Sequence, residues 1–136
     1  MAIRILIADD HPVVRRGLKA LLAGYPDCEV VGEAADGVEA VEKAERLKPD
    51  VIILDIGMPR MDGLEACRRI RKTVPEAEVL IVTQHDSAQM TREALAAGAR
   101  GYVVKANTVR DLLPAIEAVS VHQPFAPSQD GQAAIG

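Results

Sequence analysis

The sequence predicts an α/β fold in which an open, doubly wound sheet of five parallel strands carries helices on both faces. Short apolar runs and helical patterns alternate five times along the 136 residues. The runs are rich in Val and Ile, which is typical of strands buried on both faces. A strand–helix repeat of this kind requires parallel pairing with right-handed crossovers. Five units are too few to close a barrel of eight.

Each strand run is followed by a signal for the start of a helix. The strand runs are IRILIA, CEVVGEA, VIILD, VLIVT and YVVK, in chain order. The helix starts are His11-Pro12, Asp36, Asp62, Ser87 and Thr108, in the same order. Proline suits a first helical turn, and Asp, Ser and Thr side chains accept hydrogen bonds from the exposed amides there. Glu39, Glu65 and Asp111 stand three residues beyond three of these caps, which is the spacing of a capping box.

Glycines and a loss of periodicity mark where helices and the domain end. Gly24 follows the first helical stripe, and Gly98 has the position of a glycine just beyond a helix end. After the fifth helix the chain contains Pro, Gly, Gln and Ser without a repeating apolar pattern. We therefore expect one domain over residues 1–120, followed over residues 121–136 by a tail or the start of an interdomain linker.

The composition is that of an ordinary soluble globular domain. Hydrophobic residues make up 49% and charged residues 26% of the chain, and the net charge is −4. No apolar stretch reaches the length of a membrane span. The N-terminus lacks the charged, apolar and small-residue segments of a signal peptide. We expect a cytoplasmic protein without membrane contact.

Two features that could suggest other functions have simpler interpretations. Basic residues cluster at positions 68–72, but on a helix they spread around the exposed side. With a net negative charge as well, we expect no direct binding of this chain to nucleic acid. Cys28 and Cys67 lie far apart without Cys or His at ligand spacing, which favours two small buried residues over a metal or redox pair.

Polar and charged residues follow four of the predicted strands. They comprise three carboxylates, a hydroxyl and an ammonium group: Asp9, Asp10, Asp55, Thr83 and Lys105. The carboxyl ends of parallel strands meet at one edge of the sheet, and ligands of this fold class bind outside that edge. The sequence therefore brings these five side chains together in one candidate site.

The grouped carboxylates indicate a divalent cation, and the other side chains indicate a phosphoryl group. Three acids close together would repel one another and raise at least one pKa. Mg²⁺, bound by carboxylates, water and phosphate oxygens, relieves that repulsion. Lys105 offers a positive charge and Thr83 a hydroxyl donor to phosphoryl oxygens. Asp55 is the best candidate for a carboxylate nucleophile, because it ends a central strand alone.

The chain resembles the receiver domain of bacterial two-component response regulators. The resemblance runs from about Ile3 to Val119. It rests on the segments ADDHPVVRRGL, DIGMPRMDG, VLIVTQHD and GYVVK. The first segment is most similar to the NarL/FixJ-like subfamily, whose members usually carry a C-terminal helix-turn-helix DNA-binding domain. The family implies that residues 1–120 form a receiver domain with a flavodoxin-like sheet of strand order 2-1-3-4-5.

The resemblance also implies a phosphoacceptor and a metal site. Asp55 would accept a phosphoryl group from the phosphohistidine of a sensor histidine kinase. Mg²⁺ would be held by Asp10, by Asp55 and by the backbone carbonyl of Gly57. Asp9 would contribute to the metal site mostly through water.

The remaining site residues would hold the phosphoryl group and respond to it. Thr83 and Lys105 would contact the phosphoryl oxygens. Tyr102 would move inward with the threonine as a switch, or would simply pack as a strand aromatic.

Three positions depart from the family. Gly57 leaves one side of the site open, which could favour attack of water on the phospho-aspartate. Gln84 is large where a small residue is usual and could hinder phosphoryl access, and Ala106 replaces a frequent proline, so that a trans bond is expected after Lys105.

Two histidines flank the predicted site. His11 follows the first acid pair, and His85 stands two residues beyond Thr83. Roles as ordinary loop or helix-start residues are favoured over metal ligation or proton transfer. His85 is still close enough along the chain to touch a phosphoryl group or its attacking water.

Several functions agree with these residues to different degrees. The favoured one is a phosphoacceptor switch that is not itself an enzyme, with output through homodimerisation or through a DNA-binding domain outside this chain. A Mg²⁺-dependent phosphatase with an Asp nucleophile usually has a second Asp two residues later, where this chain has Gly57. A degenerate receiver could act as an interaction module without phosphorylation. A flavin binder is disfavoured, because the first turn has acids instead of a phosphate cradle.

Overall fold

The computed structural model describes residues 2–84 and 87–126. The strands are β1 (Ile3–Ala8), β2 (Cys28–Ala34), β3 (Val51–Leu54), β4 (Glu78–Thr83) and β5 (Gly101–Val104). The helices are α1 (Pro12–Ala23), α2 (Gly37–Leu47), α3 (Gly63–Thr73), α4 (Ala88–Ala96) and α5 (Thr108–Ser120), with a 3₁₀ turn over Lys105–Asn107. One sheet contains the strands in the order β2-β1-β3-β4-β5. The predicted flavodoxin-like fold is confirmed.

All neighbouring strands of the sheet are parallel. In the centre, Ile5 of β1 lies opposite Val51 of β3, and Ile53 of β3 lies opposite Leu80 of β4. A register shift marks a β-bulge between β1 and β2. Because the strands run the same way, the residues that follow β1, β3, β4 and β5 meet at one edge.

Side-chain caps fix the starts of three helices where the sequence predicts them. Asp36 accepts a hydrogen bond from the amide of Glu39 at 2.8 Å, and Asp62 accepts one from the amide of Glu65 at 2.9 Å. Ser87 caps α4 through the amide of Met90. These bonds satisfy amides that the first helical turn leaves without partners.

The predicted cap of α5 is wrong by one residue. Thr108 is the first helical residue, and Asn107 occupies the cap position without a side-chain hydrogen bond. The Thr108 hydroxyl instead donates to the carbonyl of Lys105 at 2.6 Å. The 3₁₀ turn that precedes α5 places that carbonyl within reach, and the backbone amide of Thr108 donates to the same carbonyl.

Alternating strand residues divide the core into two apolar layers. One layer lies between the sheet and α2, α3 and α4, and it contains Leu6, Ile52, Ile81 and Tyr102. The other lies between the sheet and α1 and α5. Tyr102 is the largest of the fully buried side chains. The period of two along each strand thus sends successive side chains to opposite helical layers.

The cysteines and the basic cluster take structural roles. Both cysteines are free, and burial raises the pKa of the Cys67 thiol to about 12. Arg68 and Arg69 are exposed and pair with Glu65. Arg71 does not belong to this solvated face, because it turns inward and donates to backbone carbonyls beyond the end of α3.

The chain continues in contact with the sheet after α5. An isolated parallel bridge joins Phe125 to Gly101 of β5. Within the described part of the chain no peptide bond is cis, as expected at Lys105–Ala106. None of the helices described is long and apolar enough to cross a bilayer.

Candidate functional site

Most of the predicted site residues converge at the carboxyl edge of the sheet. A cleft of about 110 Å³ opens there. Its lining comes from the ends of β3, β4 and β5 and from the start of α1: His11, Asp55, Gly57, Thr83, Gln84 and Lys105. The side chain of Gln84 is exposed, so this departure from the family pattern lies at the opening of the cleft.

Asp9, the first of the two adjacent acids, contacts both Lys105 and His11. Its carboxylate is buried, with Oδ2 at 2.9 Å from Nζ of Lys105. The other oxygen, Oδ1, accepts hydrogen bonds from the amide of His11 at 2.9 Å and from its imidazole Nδ1 at 3.1 Å. The Lys105 ammonium also lies 3.5 Å from Oδ1 of Asp55. One cation is therefore shared by two buried carboxylates.

The environment of Asp55 disfavours its charged form. Burial raises the pKa of its carboxyl above the ordinary value, and the neighbouring charge of Asp9 raises it further. The ammonium of Lys105 acts in the opposite direction without cancelling these effects. A second cation at this edge would relieve the remaining repulsion among the acids.

The acid cluster has the donor set of a metal site. Asp9, Asp10, His11 and Asp55 each offer one ligand atom, and these atoms lie within 4.8 Å of one another. Among the described residues, Oδ1 of Asp10 is buried and has no hydrogen-bond partner. It lies 3.1 Å from Nδ1 of His11, whose hydrogen bond goes to Asp9 instead. A buried carboxylate oxygen without a donor suits a hard cation such as Mg²⁺.

The start of α3 presses against the backbone of Asp55. A Cβ atom on Gly63 would lie 2.1 Å from the carbonyl oxygen of Asp55, and the Gly63 amide donates to the carbonyl of Ile56 at 2.8 Å. A Cβ atom on Gly57 would meet no described atom within 4 Å. The backbone of Asp55 is therefore in close contact with the start of α3, while the side of the site at Gly57 is open.

An ion pair braces the loop between β3 and α3 against α2. Arg60 has a left-handed backbone (φ 66°) and donates to both carboxylate oxygens of Asp36, at 2.9 and 3.1 Å. The hydrogen bonds from Arg60 and from the amide of Glu39 hold the pKa of Asp36 below its ordinary value. A Cβ atom on Gly37 would lie 1.9 Å from the carbonyl oxygen of Met61. The loop that follows Asp55 thus rests on the first turn of α2.

The other predicted residues take different positions relative to the cleft. Thr83 ends β4, is buried and lines the cleft. Tyr102 is buried in the middle of β5, in the α2–α4 layer of the core, and does not line the cleft. His85 lies outside the described residues.

Sequence reasoning missed two contributions to the site. His11 occupies the cap position of α1, as expected of a helix-start residue, but its Nδ1 also lies 3.1 Å from carboxylate oxygens of both Asp9 and Asp10. Its position directly after the acid pair was the available signal. The pairing of Arg60 with Asp36 had no signal, because the two residues are 24 positions apart and belong to different predicted units.

A model of the response regulator receiver domain family matches residues 5–117 of this chain. The chain belongs to this family. The response regulator protein VraR of Staphylococcus aureus is 41% identical over 120 residues, which cover 88% of this chain and 57% of VraR. This receiver therefore spans a little over half the length of that relative.

Solved structures of related receivers agree with the fold and the subfamily. A LuxR-family two-component response regulator from Aurantimonas sp. is 35% identical, with a TM-score of 0.89 and full coverage of both chains. The isolated receiver domain of RcsB from Salmonella enterica, in the presence of phosphomimetic BeF₃⁻, is 27% identical with a TM-score of 0.85, covering 94% of this chain and 95% of that one. Together with VraR, these relatives support the predicted NarL/FixJ-like subfamily.

Proposed function

We propose that this receiver accepts a phosphoryl group on Asp55 from the phosphohistidine of a sensor histidine kinase. The observation that carries the proposal is the buried Asp55 carboxylate, which shares the Lys105 ammonium with Asp9 at the floor of an open cleft. In the transfer, an Asp55 carboxylate oxygen attacks phosphorus while the phosphorus–nitrogen bond of the donor breaks. The electron pair stays on the donor imidazole, which then takes up a proton.

Two side chains of the cleft are suited to the transferred group. The Lys105 ammonium is 3.5 Å from Asp55 and would neutralise charge on a phosphoryl oxygen. The Thr83 hydroxyl, at the end of the neighbouring strand, would donate to another oxygen. Since Lys105 also pairs with Asp9, moving it toward a phosphoryl group would loosen that contact and change the charge balance at the end of β5.

The proposed cofactor is Mg²⁺. Asp10, Asp55 and the backbone carbonyl of Gly57 would hold it, with Asp9 contributing mostly through water. The buried and unpartnered oxygen of Asp10 is the feature that supports this assignment. When bound, the ion supplies positive charge that draws the phosphoryl oxygens toward the acidic site.

The output is proposed to lie in protein contacts and in residues beyond this chain. Phosphorylation would change the affinity of a surface for a second copy of the receiver. This chain spans 57% of the VraR relative. A C-terminal DNA-binding domain of the kind usual in the subfamily is proposed to carry the transcriptional output. The receiver itself would not bind DNA.

The test is the intact mass after incubation with Mg²⁺ and acetyl phosphate. We expect one phosphoryl group on the parent protein and none on Asp55→Asn. The matched control is Asp27→Asn, an exposed acid outside the site, which should be phosphorylated like the parent. Adding a chelator before the donor should prevent the reaction. An unmodified parent in rapidly quenched samples would contradict the proposal and favour an interaction module that works without phosphorylation.

A further inference from the structure

The chain makes an ordered turn at the end of α5. The amides of His122 and Gln123 donate to carbonyls of the last helical turn, Val119 at 2.9 Å and Ala118 at 2.9 Å. His122 has a left-handed backbone (φ 63°), the conformation that reverses a chain beyond a helix end. The turn directs residues 123–126 along the outer edge of β5.

Residues 121–126, named here the edge segment, contact the outer edge of β5 through one parallel bridge, between Phe125 and Gly101. The amide of Tyr102 donates to the carbonyl of Phe125 at 3.0 Å, and the amide of Phe125 donates to the carbonyl of Arg100 at 3.3 Å. Among the strands described, β5 ends the sheet on this side. The edge segment therefore satisfies backbone groups that an edge strand leaves open.

Side-chain packing holds the edge segment in place. Phe125 is half-buried and packs against the α1–α5 layer of the core, whereas its neighbours in the segment are exposed. A Cβ atom on Gly101 would lie 2.9 Å from the side chains of Leu80 and Val119 and 3.4 Å from that of Phe125. The absence of a side chain at Gly101 is what allows α5 and the edge segment to approach β5 this closely.

A buried acid anchors the turn at the other end of the edge segment. Glu78 lies at the start of β4 and is buried, with Oε2 at 2.5 Å from Nδ1 of His122. Arg100 contacts the same oxygen at 3.1 Å, and Arg71 lies 3.5 Å from the other. The edge segment is thus fixed at its start by the contact of His122 with Glu78, and at its end by the backbone bonds and the ring of Phe125.

We propose that the edge segment is the output link of this receiver, so that the functional domain extends to residue 126. This inference rests on the proposed function. The segment bonds to the amide of Tyr102 in β5, and Lys105, which directly follows β5, contacts Asp9 and Asp55. A change of partner at Lys105 would shift β5, and the pairing with Phe125 would respond. The outer edge of β5 is occupied by this chain's own edge segment, which would carry the change toward the residues after 126.

The docking of the edge segment on β5 is tested first in the unphosphorylated full chain, by amide hydrogen exchange measured with NMR. Phe125→Ser removes the ring but leaves the other contacts of the segment, and we expect exchange at Tyr102 to quicken at least about tenfold. The amides of His122 and Gln123 should keep their protection, which would show that α5 is intact. Val121→Ser changes an exposed residue of the same segment and should leave Tyr102 unaltered. Equal protection of Tyr102 in parent and Phe125→Ser would overturn the docking.

The coupling is tested by adding Mg²⁺ and BeF₃⁻ to the same three proteins. Linkage requires that a ligand which changes the docking also binds with a different affinity when the docking is lost. We expect the exchange of the Phe125 amide in the parent to change with BeF₃⁻, and the apparent BeF₃⁻ affinity of Phe125→Ser to differ from that of the parent by about fivefold or more. Val121→Ser should bind like the parent.

The two proposals fail in distinguishable ways. If acetyl phosphate and BeF₃⁻ leave the parent unchanged, the phosphoacceptor function is wrong, and with it the role of the segment as an output link. If the parent is phosphorylated on Asp55 while Phe125→Ser matches it in BeF₃⁻ affinity, the receiver function stands and the output link is refuted.

Discussion

Two glycines beside the acceptor differ in the space around them. A Cβ atom on Gly63 would lie 2.1 Å from the Asp55 carbonyl oxygen, whereas one on Gly57 would be in open space. We expect Gly63→Ala to lower the free energy of unfolding by about 2 kcal/mol, since a rigid backbone atom must move. Gly57→Ala should change it by less than about 0.5 kcal/mol. Urea unfolding of both variants in the presence of a chelator compares their free energies of unfolding. Similar values for the two variants would contradict the packing described here.

At the same scale, the sequence predicts the site residues better than their contacts. The carboxyl-edge rule for parallel sheets groups Asp55, Thr83 and Lys105 without any knowledge of side-chain orientation. The rule does not say that Lys105 pairs more closely with Asp9 than with Asp55. That preference depends on distances of less than an ångström, which residue types and spacing do not contain.

At the scale of elements, Asp36 serves two of them at once. It caps α2 through the amide of Glu39, and it holds Arg60 in the loop after β3. Asp36→Ala should lose both contacts, with about 1 kcal/mol from the cap alone. Asp36→Asn should keep the cap and weaken only the pairing with Arg60.

The two variants therefore separate the cap of α2 from the ion pair between Asp36 and Arg60, which is named here the brace. We expect Asp36→Asn to retain most of the thermal stability of the parent but to bind Mg²⁺ more weakly, because the loop that carries the Gly57 carbonyl is less restrained. Calorimetric titration with Mg²⁺ and thermal unfolding measure the two effects. Parent-like Mg²⁺ affinity in Asp36→Asn would show that the brace does not position the metal loop.

Element boundaries were predictable where their causes are local. The caps at Asp36, Asp62 and Ser87 depend on amides three residues away, so the sequence contains the whole interaction. The pairing of Phe125 with β5 joins residues more than twenty positions apart and shows no apolar period. A single bridge residue beyond a helix produces no repeating apolar pattern, so composition and spacing do not predict this pairing.

At the scale of the whole molecule, Glu78 connects parts of the fold that are distant in sequence. It contacts Arg71 of α3, Arg100 before β5 and His122 after α5. Burial alone would raise the pKa of Glu78, but the hydrogen bonds from His122 and Arg100 and the charge of Arg71 outweigh it and lower the pKa. The ionised carboxylate is therefore favoured by folding.

The lowered pKa of Glu78 determines how the stability of the fold depends on pH. Because the folded pKa is lower than the unfolded one, the contribution of Glu78 is complete above the ordinary value of 4.5 and disappears as the pH falls through the folded pKa. Glu78→Gln should be less stable than the parent by about 1–2 kcal/mol at pH 7, since its cationic partners are partly exposed. The difference should shrink in acid.

Urea unfolding between pH 7 and the acid range tests this expectation. Glu76→Gln is a suitable control, because it removes an exposed carboxylate of the same type two residues away. It should follow the parent at every pH. A stability gap for Glu78→Gln that does not narrow on acidification would be inconsistent with a carboxylate stabilised in its ionised form.

The burial of Tyr102 also has an optical consequence. The chain contains no tryptophan and only two tyrosines, of which Tyr102 is the largest fully buried side chain and Tyr25 lies in the turn between α1 and β2. Tyr25→Phe would leave a single phenol, placed in the strand that joins the acidic edge to the edge segment. Its near-ultraviolet emission and dichroism would then report the state of β5 directly. The receiver therefore contains an intrinsic spectroscopic probe at the residue where its two proposed roles meet.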